Sequence, residues 1–248
     1  MQTTTSPSRA GDPAGQQLAK LPAGERGHTD LGWLDSRHSF SFGEYFDPDH
    51  MGYRSLRVIN DDTVAPGGGF GMHPHRDAEI FTYVIEGSVE HKDSMGNHGV
   101  IPAGGLQYMS AGAGVTHSEC NGSRTQPVHF LQIWLRPNEQ GGAPRYAEKH
   151  LGPAANADGL TLLFARDAVD GAVAIRQDAE ISFGRLAAGR ELAVTLESGR
   201  GLWLQIIKGR VAVLGETLAE GDGASVEGSG LVSIQAETAA EFLVFDLQ

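Results

Sequence analysis

Two doublets, His73-Pro74-His75 and His117-Ser118-Glu119, hold the side chains of this sequence best suited to chemistry. Side chains two apart on an extended strand point to the same face. Each doublet therefore aims two ligand atoms at one point, and two such strands lining a barrel supply four. Three imidazoles and a carboxylate suit a divalent transition metal such as Fe, Ni, Cu, Mn, Co or Zn. A six-coordinate ion so held keeps two positions for substrate or O2, the composition of a reactive site rather than a closed structural one. One His-x-His alone is ordinarily a pair of solvated or hydrogen-bonded histidines. The second doublet, led in by Met109 to Thr116, favours metal binding, as does the strand-turn-strand punctuation around Gly87 and Ser94-Met95-Gly96-Asn97. Pro74 lacks an N–H and belongs at a sheet edge or irregular position.

Other candidates carry less. Gly67-Gly68-Gly69-Phe70-Gly71 lacks the Gly-Lys-Ser/Thr ending and following helix of a phosphate cradle, and reads as a turn entering the His73 strand. The single cysteine, Cys120, cannot form an intramolecular disulfide, so nothing requires an oxidising compartment. On a strand it faces away from Glu119, which favours a small buried hydrophobe over a nucleophile. His28, His38, His91, His98 and His129 read as structural or solvated. Trp33, Phe40, Phe42 and Trp134 either line a flat aromatic pocket or pack in the core, which is the default for such residues. No Gly-x-Ser-x-Gly elbow supports serine hydrolase chemistry.

The elements that position these residues are β-strands. Gly, at 34 residues, and Pro, at 11, punctuate short apolar runs such as Ser55 to Ile59, Phe81 to Ile85, Leu106 to Met109 and Val128 to Leu135. That is the pattern of an antiparallel sandwich or barrel. No long stretch keeps a 3.6-residue period, so helices should be few and short. Across 248 residues, 40% hydrophobic and 20% charged, the composition is that of a soluble globular protein with room for one large or two ordinary domains. A formal net charge of −12 with no basic run argues against direct nucleic-acid binding. No apolar stretch approaches 18 residues, which excludes a transmembrane helix. Met1 to Gly15 is rich in Thr, Ser, Pro and Gly and lacks an apolar signal core, so the expected location is cytoplasmic.

The second half echoes the first without its chemistry. Ile206-Ile207-Lys208-Gly209-Arg210-Val211 answers Val84-Ile85-Glu86-Gly87-Ser88-Val89, and Glu241 to Asp246 answers His129 to Trp134. The Gly87-to-Gly209 offset places Thr195 at the His73 position and Glu197 at the His75 position. No histidine follows His150. A duplicated barrel whose second copy lost its metal accounts for this. The expected layout is a flexible lead-in over 1–20, a metal-binding domain over 21–136, a connection over 137–150 and a metal-free domain over 151–248.

These residues resemble the cupins. Gly67-x5-His73-x-His75-x3-Glu79, followed by Gly87, is similar to the first cupin motif, with its last spacing shifted by one. Gly96-x5-Pro102-x-Gly104 is similar to the start of the second, with the histidine arriving late, at His117, and paired with Glu119. That variant resembles the pirin family of bicupins. So do Glu25-Arg26-Gly27-His28, Gly32 to Ser36, His38 to Phe42, Leu56 to Asp62, His91 to Asn97 and Gln132-Ile133-Trp134.

The resemblance implies an all-β fold of two cupin barrels, jelly-roll-like and packed face to face. It implies one divalent metal per chain, Fe(II) above the other candidates, on His73, His75, His117 and Glu119. Bacterial pirin-like proteins are similar to quercetin 2,3-dioxygenases, which implies a small aromatic substrate, O2 and opening of a flavonol's central ring. Mammalian pirin implies the alternative of a non-catalytic, metal- or redox-sensing regulator with a protein partner, and another cupin activity such as isomerisation also stays open. Glu79 matches a glutamate that ligates metal in many cupins. Here Glu119 takes that place, leaving Glu79 to orient a ligand from outside or to make a structural hydrogen bond.

Overall fold

Short apolar runs punctuated by glycine and proline fold as strands throughout the chain. The computed structural model describes residues 15–151 and 157–248, so residues 1–14 of the expected lead-in lie outside the described residues, as do 152–156. The first half opens with β1 (Gln17–Leu21), β2 (Gly27–Asp30), β3 (Leu34–His38), β4 (Leu56–Val64), β5 (Gly69–His75) and β6 (Glu79–Glu86). It continues with β7 (Ser88–Asp93), β8 (His98–Pro102), β9 (Gly105–Ser110), β10 (Val115–Asn121), β11 (Val128–Leu135) and β12 (Arg145–His150). The second half starts with β13 (Gly159–Ala165), β14 (Val173–Ala174), β15 (Ala179–Leu186), β16 (Glu191–Leu196) and β17 (Gly201–Lys208). It closes with β18 (Arg210–Val213), β19 (Glu216–Ala219), β20 (Gly223–Glu227), β21 (Gly230–Ala236) and β22 (Ala240–Leu247). Among the described residues the helical part is a single 3-10 turn, Ala23–Glu25.

In the first half, a seven-stranded sheet ordered β12-β9-β6-β11-β4-β3-β2 covers a four-stranded sheet ordered β5-β10-β7-β8. The second half repeats this with β1-β20-β17-β22-β15-β13-β14 over β16-β21-β18-β19. The two orders correspond strand for strand, which is the duplicated bicupin architecture. The echo at the glycines is geometric. Gly87 and Gly209 adopt φ of +78° and +77°, and an added Cβ would lie 2.9 Å from the Pro127 carbonyl oxygen and 2.0 Å from that of Ala239. Only glycine fits both turns without strain.

The two seven-stranded sheets pack through their outer faces. Phe81, Tyr83, Tyr108 and Ile133 meet Phe164, Phe183, Trp203 and Phe245, with Phe81 and Phe164 ring centroids 4.7 Å apart. Their strands are thus buried on both faces, which explains their unbroken apolar runs. The inner face of the second barrel is packed with aliphatic residues including Leu196, Val211, Val232 and Ile234. The first barrel carries two smaller apolar clusters, around Val84 and Phe130 and around Ile80 and Met109. Polar side chains occupy the rest of its interior.

Two segments expected to be irregular are strands. Gln17–Leu21, mostly within the lead-in, pairs as β1 with β20 of the second barrel. Arg145–His150, at the end of the expected connection, pairs as β12 with β9 of the first. Each barrel therefore receives an edge strand from the segment preceding the other. Neither segment shows clean alternation, because pairing with a distant strand edge, not local burial, makes it extended. No helix among the described residues is long and apolar enough to cross a membrane.

Candidate metal centre

The ligand strands are neighbours in the small sheet of the first barrel. β5 is its edge strand, which is where Pro74 is tolerated. Pairing of β5 with β10 sets His117 opposite His73 and Val115 opposite His75, and a bulge between His117 and Glu119 shifts the register beyond. Gly69 permits this approach: a Cβ there would lie 2.5 Å from Cα of Cys120. The glycine run is thus the entry turn to the His73 strand.

His73, His75 and His117 converge, with one ring nitrogen from each lying within 4.8 Å of the others. His73 Nδ1 lies 2.7 Å from the Gly71 carbonyl. A carbonyl only accepts, so Nδ1 is the donor there and Nε2 is the nitrogen left for a ligand bond. His117 is fully buried, and neither ring nitrogen has a hydrogen-bond partner. Unpaired imidazole nitrogens in a barrel interior are costly unless something else takes them up. Burial, reinforced by the neighbouring imidazoles, lowers His117 to about 3 and His75 to about 4. Both rings are therefore neutral at pH 7, the form that ligates metals. This donor set fits a transition metal.

Glu119 enters the same chamber from β10, but its oxygens fall outside the cluster of three nitrogens. Its carboxylate accepts from Thr82 Oγ1 at 2.7 Å and from Gln132 Nε2 at 2.6 Å. Thr82 and Gln132 are themselves cross-strand partners on β6 and β11. Glu79, three residues before Thr82, faces the opposite side of β6. It accepts from the Tyr108 and Ser110 hydroxyls at 2.5 Å and from the Arg176 amide of the second half at 2.9 Å. These bonds make it a structural carboxylate of the junction, not an orienting partner behind a ligand.

The chamber is also lined by Phe42, Asn60, Asp62, Phe70 and Trp134. Trp134 stands edge-on to His75 at 4.8 Å and to Phe42 at 5.5 Å. Of the four aromatics considered from sequence, Phe42 and Trp134 form chamber wall. Trp33 packs on Phe70, and Phe40 joins the core between the barrels. His91 lies behind His117 at 5.4 Å, bonded to Gln107 and Asp93. His38 bonds Asn60 and Thr29, and His129 bonds Asp61, so these histidines are structural. Cys120 does face away from Glu119, but is half-buried rather than buried. Sequence reasoning missed Thr82, Gln132, Asn60 and Asp62. Their signal is the occurrence of polar residues on the inward phase of otherwise apolar strands.

The second barrel has aliphatic residues at the corresponding positions. Val89 pairs with Asn121, and Val211 pairs with Ala236. Counting back two and four residues, Ile234 answers to Glu119 and Val232 to His117. Val232 stands opposite Val194, as His117 stands opposite His73. The counterparts of His73 and His75 are therefore Val194 and Leu196, not Thr195 and Glu197, which are exposed. Turn lengths and the β10 bulge displace the simple offset by one residue, and a one-residue slip flips a strand's faces.

The family profile "Pirin" matches residues 21–135, and "Quercetinase C-terminal cupin domain" matches residues 162–247. The chain is 45% identical over 225 residues to the quercetin 2,3-dioxygenase of Escherichia coli (strain K12), covering 91% of this chain and 96% of that one. The crystal structure of YhhW from E. coli superposes with a TM-score of 0.91 at 44% identity, covering 94% of this chain and 98% of that one. A structure of the bacterial pirin YhhW in complex with nickel(II) gives a TM-score of 0.90 at 43% identity, covering 93% and 99%.

Proposed function

Because the chain belongs to the pirin family of bicupins, we propose that it is a metal-dependent dioxygenase opening the central ring of a flavonol such as quercetin. The observation that carries this reading is the convergence of three imidazoles, one with both nitrogens unpaired in the barrel interior, beside a carboxylate and an aromatic wall. Supporting it, the E. coli relative bears the name quercetin 2,3-dioxygenase.

His73, His75, His117 and Glu119 would hold the ion, which we assign as Fe(II); the bacterial pirin YhhW of E. coli has been seen in complex with nickel(II). When bound, the ion would supply Lewis acidity and a route for electrons to O2. Phe42, Phe70 and Trp134 receive the flat ring system and keep water from it. Glu119 takes the proton of the 3-hydroxyl. Thr82 and Gln132 hold its two oxygens by one hydrogen bond each, which fixes the direction in which the carboxylate points. The protein acts in the cytoplasm.

The test is elemental analysis followed by an aerobic flavonol assay. Loss of the flavonol absorption band should need both metal and air. Metal-loaded protein that leaves quercetin unchanged under air would sink the proposal.

A further inference from the structure

Asn60 and Asp62 lie two apart on β4 and are each 3% exposed, so both enter the barrel interior from one face of the strand. Each is pinned at one end from behind. Asn60 Oδ1 lies 2.8 Å from His38 Nδ1, and an amide oxygen only accepts, so His38 is protonated there. His38 Nε2 in turn takes the Thr29 hydroxyl at 2.9 Å. Asp62 Oδ1 accepts from the Ser36 hydroxyl. The other ends, Asn60 Nδ2 and Asp62 Oδ2, have no hydrogen-bond partner among the described residues. Both residues line the chamber shared with His73, His75 and Glu119.

Buried polar groups are ordinarily paired. Here an open donor and an open acceptor, two residues apart on one strand face and held from behind by His38 and Ser36, line the same chamber as the histidine cluster. A hydroxyl is the group that accepts and donates at one oxygen, and two neighbouring hydroxyls satisfy the pair equally well. We infer that Asn60 and Asp62 are specificity-determining residues that read a ring hydroxyl of the substrate, Asn60 donating to its oxygen and Asp62 accepting its proton in a hydrogen bond. The choice of a flavonol as the ring system rests on the proposed function; hydroxyl recognition does not. Burial pushes the Asp62 carboxyl up to about 7 against the hydrogen bond from Ser36, and a substrate hydroxyl supplies the second donor that its charged form lacks. A ligand without that hydroxyl leaves both residues unpaired, which is how a polar site rejects a deoxy analogue.

The experiment titrates metal-loaded protein under nitrogen with quercetin and with 3-hydroxyflavone, which lacks the other ring hydroxyls, following tryptophan fluorescence. Wild type should bind quercetin the more tightly. Asp62→Ala should weaken quercetin by about 10-fold or more, the effect of losing a buried hydrogen bond to a charged group, and leave 3-hydroxyflavone nearly unchanged. Asn60→Ala should act in the same direction, and both variants should keep their metal. Equal weakening of both flavonols, or no change in either, overturns the inference. If wild type binds neither flavonol, the flavonol reading falls. Catechol and benzene then take their place, and an Asp62→Ala protein that binds catechol as wild type does overturns hydroxyl recognition.

Discussion

His73 and His117 stand directly opposite each other on antiparallel β5 and β10, with ring centroids 4.5 Å apart. His75, two residues along β5, lies 4.8 Å from both. Strand pairing alone thus brings three imidazoles together, and the framework beneath them is made by barrel packing rather than by the ligands.

It follows that the ligands and the fold separate on mutation. His73→Ala, His75→Ala or His117→Ala should remove most bound metal while the circular dichroism spectrum stays that of the wild type, because the large apolar core dominates stability. Val194, Leu196 and Val232 offer no replacement ligand in the second barrel. Full metal occupancy in His117→Ala would refute the assignment.

Glu119 should matter more to turnover than to metal retention, since three imidazoles hold a borderline ion without it. Thr82 and Gln132 both donate to Glu119, and a glutamine there can keep both contacts by turning its NH2 to the Thr82 hydroxyl, which also accepts, so the substitution removes the charge and the base rather than the hydrogen bonds. Glu119→Gln should therefore lower kcat by about 10²-fold or more at matched metal content, the usual loss for a general base. Wild-type turnover in that variant would remove Glu119 from the chemistry.

The pair His129 and Asp61 makes stability depend on pH. Burial opposes both charges, yet their mutual hydrogen bond at 2.5 Å and, for Asp61, the Arg26 guanidinium raise His129 above its ordinary 6.5 and lower Asp61 below its ordinary 3.8. The His129 contribution is full below 6.5 and fades as pH rises through its raised value. The Asp61 contribution is full above 3.8 and fades as pH falls through its lowered value. The stability difference between wild type and His129→Gln in urea melts should thus be largest between these ordinary values and shrink on either side. A difference flat from pH 3 to 9 would show that the charges contribute nothing.

The convergence of His73, His75 and His117 was legible in the sequence because a strand's period of two turns His-x-His into a shared face, and the same period brings Glu119 into the chamber beside them. The glycines at 87 and 209 exposed the duplication for a similar local reason: each turn demands a conformation only glycine takes without strain. What escaped lies between strands distant in sequence. Thr82 and Gln132 meet Glu119 from two other strands, and nothing in their own neighbourhoods marks them as its partners. β1 and β12 are extended because of edges they meet more than 30 residues away. Glu79 carries a motif match, yet its position on β6 turns it toward Arg176, a side choice that spacing to Gly87 does not reveal. Thr195 and Glu197 show the same limit, since one residue of drift exchanges the inside of a barrel for its surface.

The most direct test of the proposed dioxygenase is gas analysis of metal-loaded protein turning over quercetin in air. The ring opening that the resemblance to quercetin 2,3-dioxygenases implies releases carbon monoxide as the flavonol is consumed, and this release should be abolished by His117→Ala and by exclusion of O2. Flavonol loss without carbon monoxide, or none at all at full metal occupancy, would contradict it.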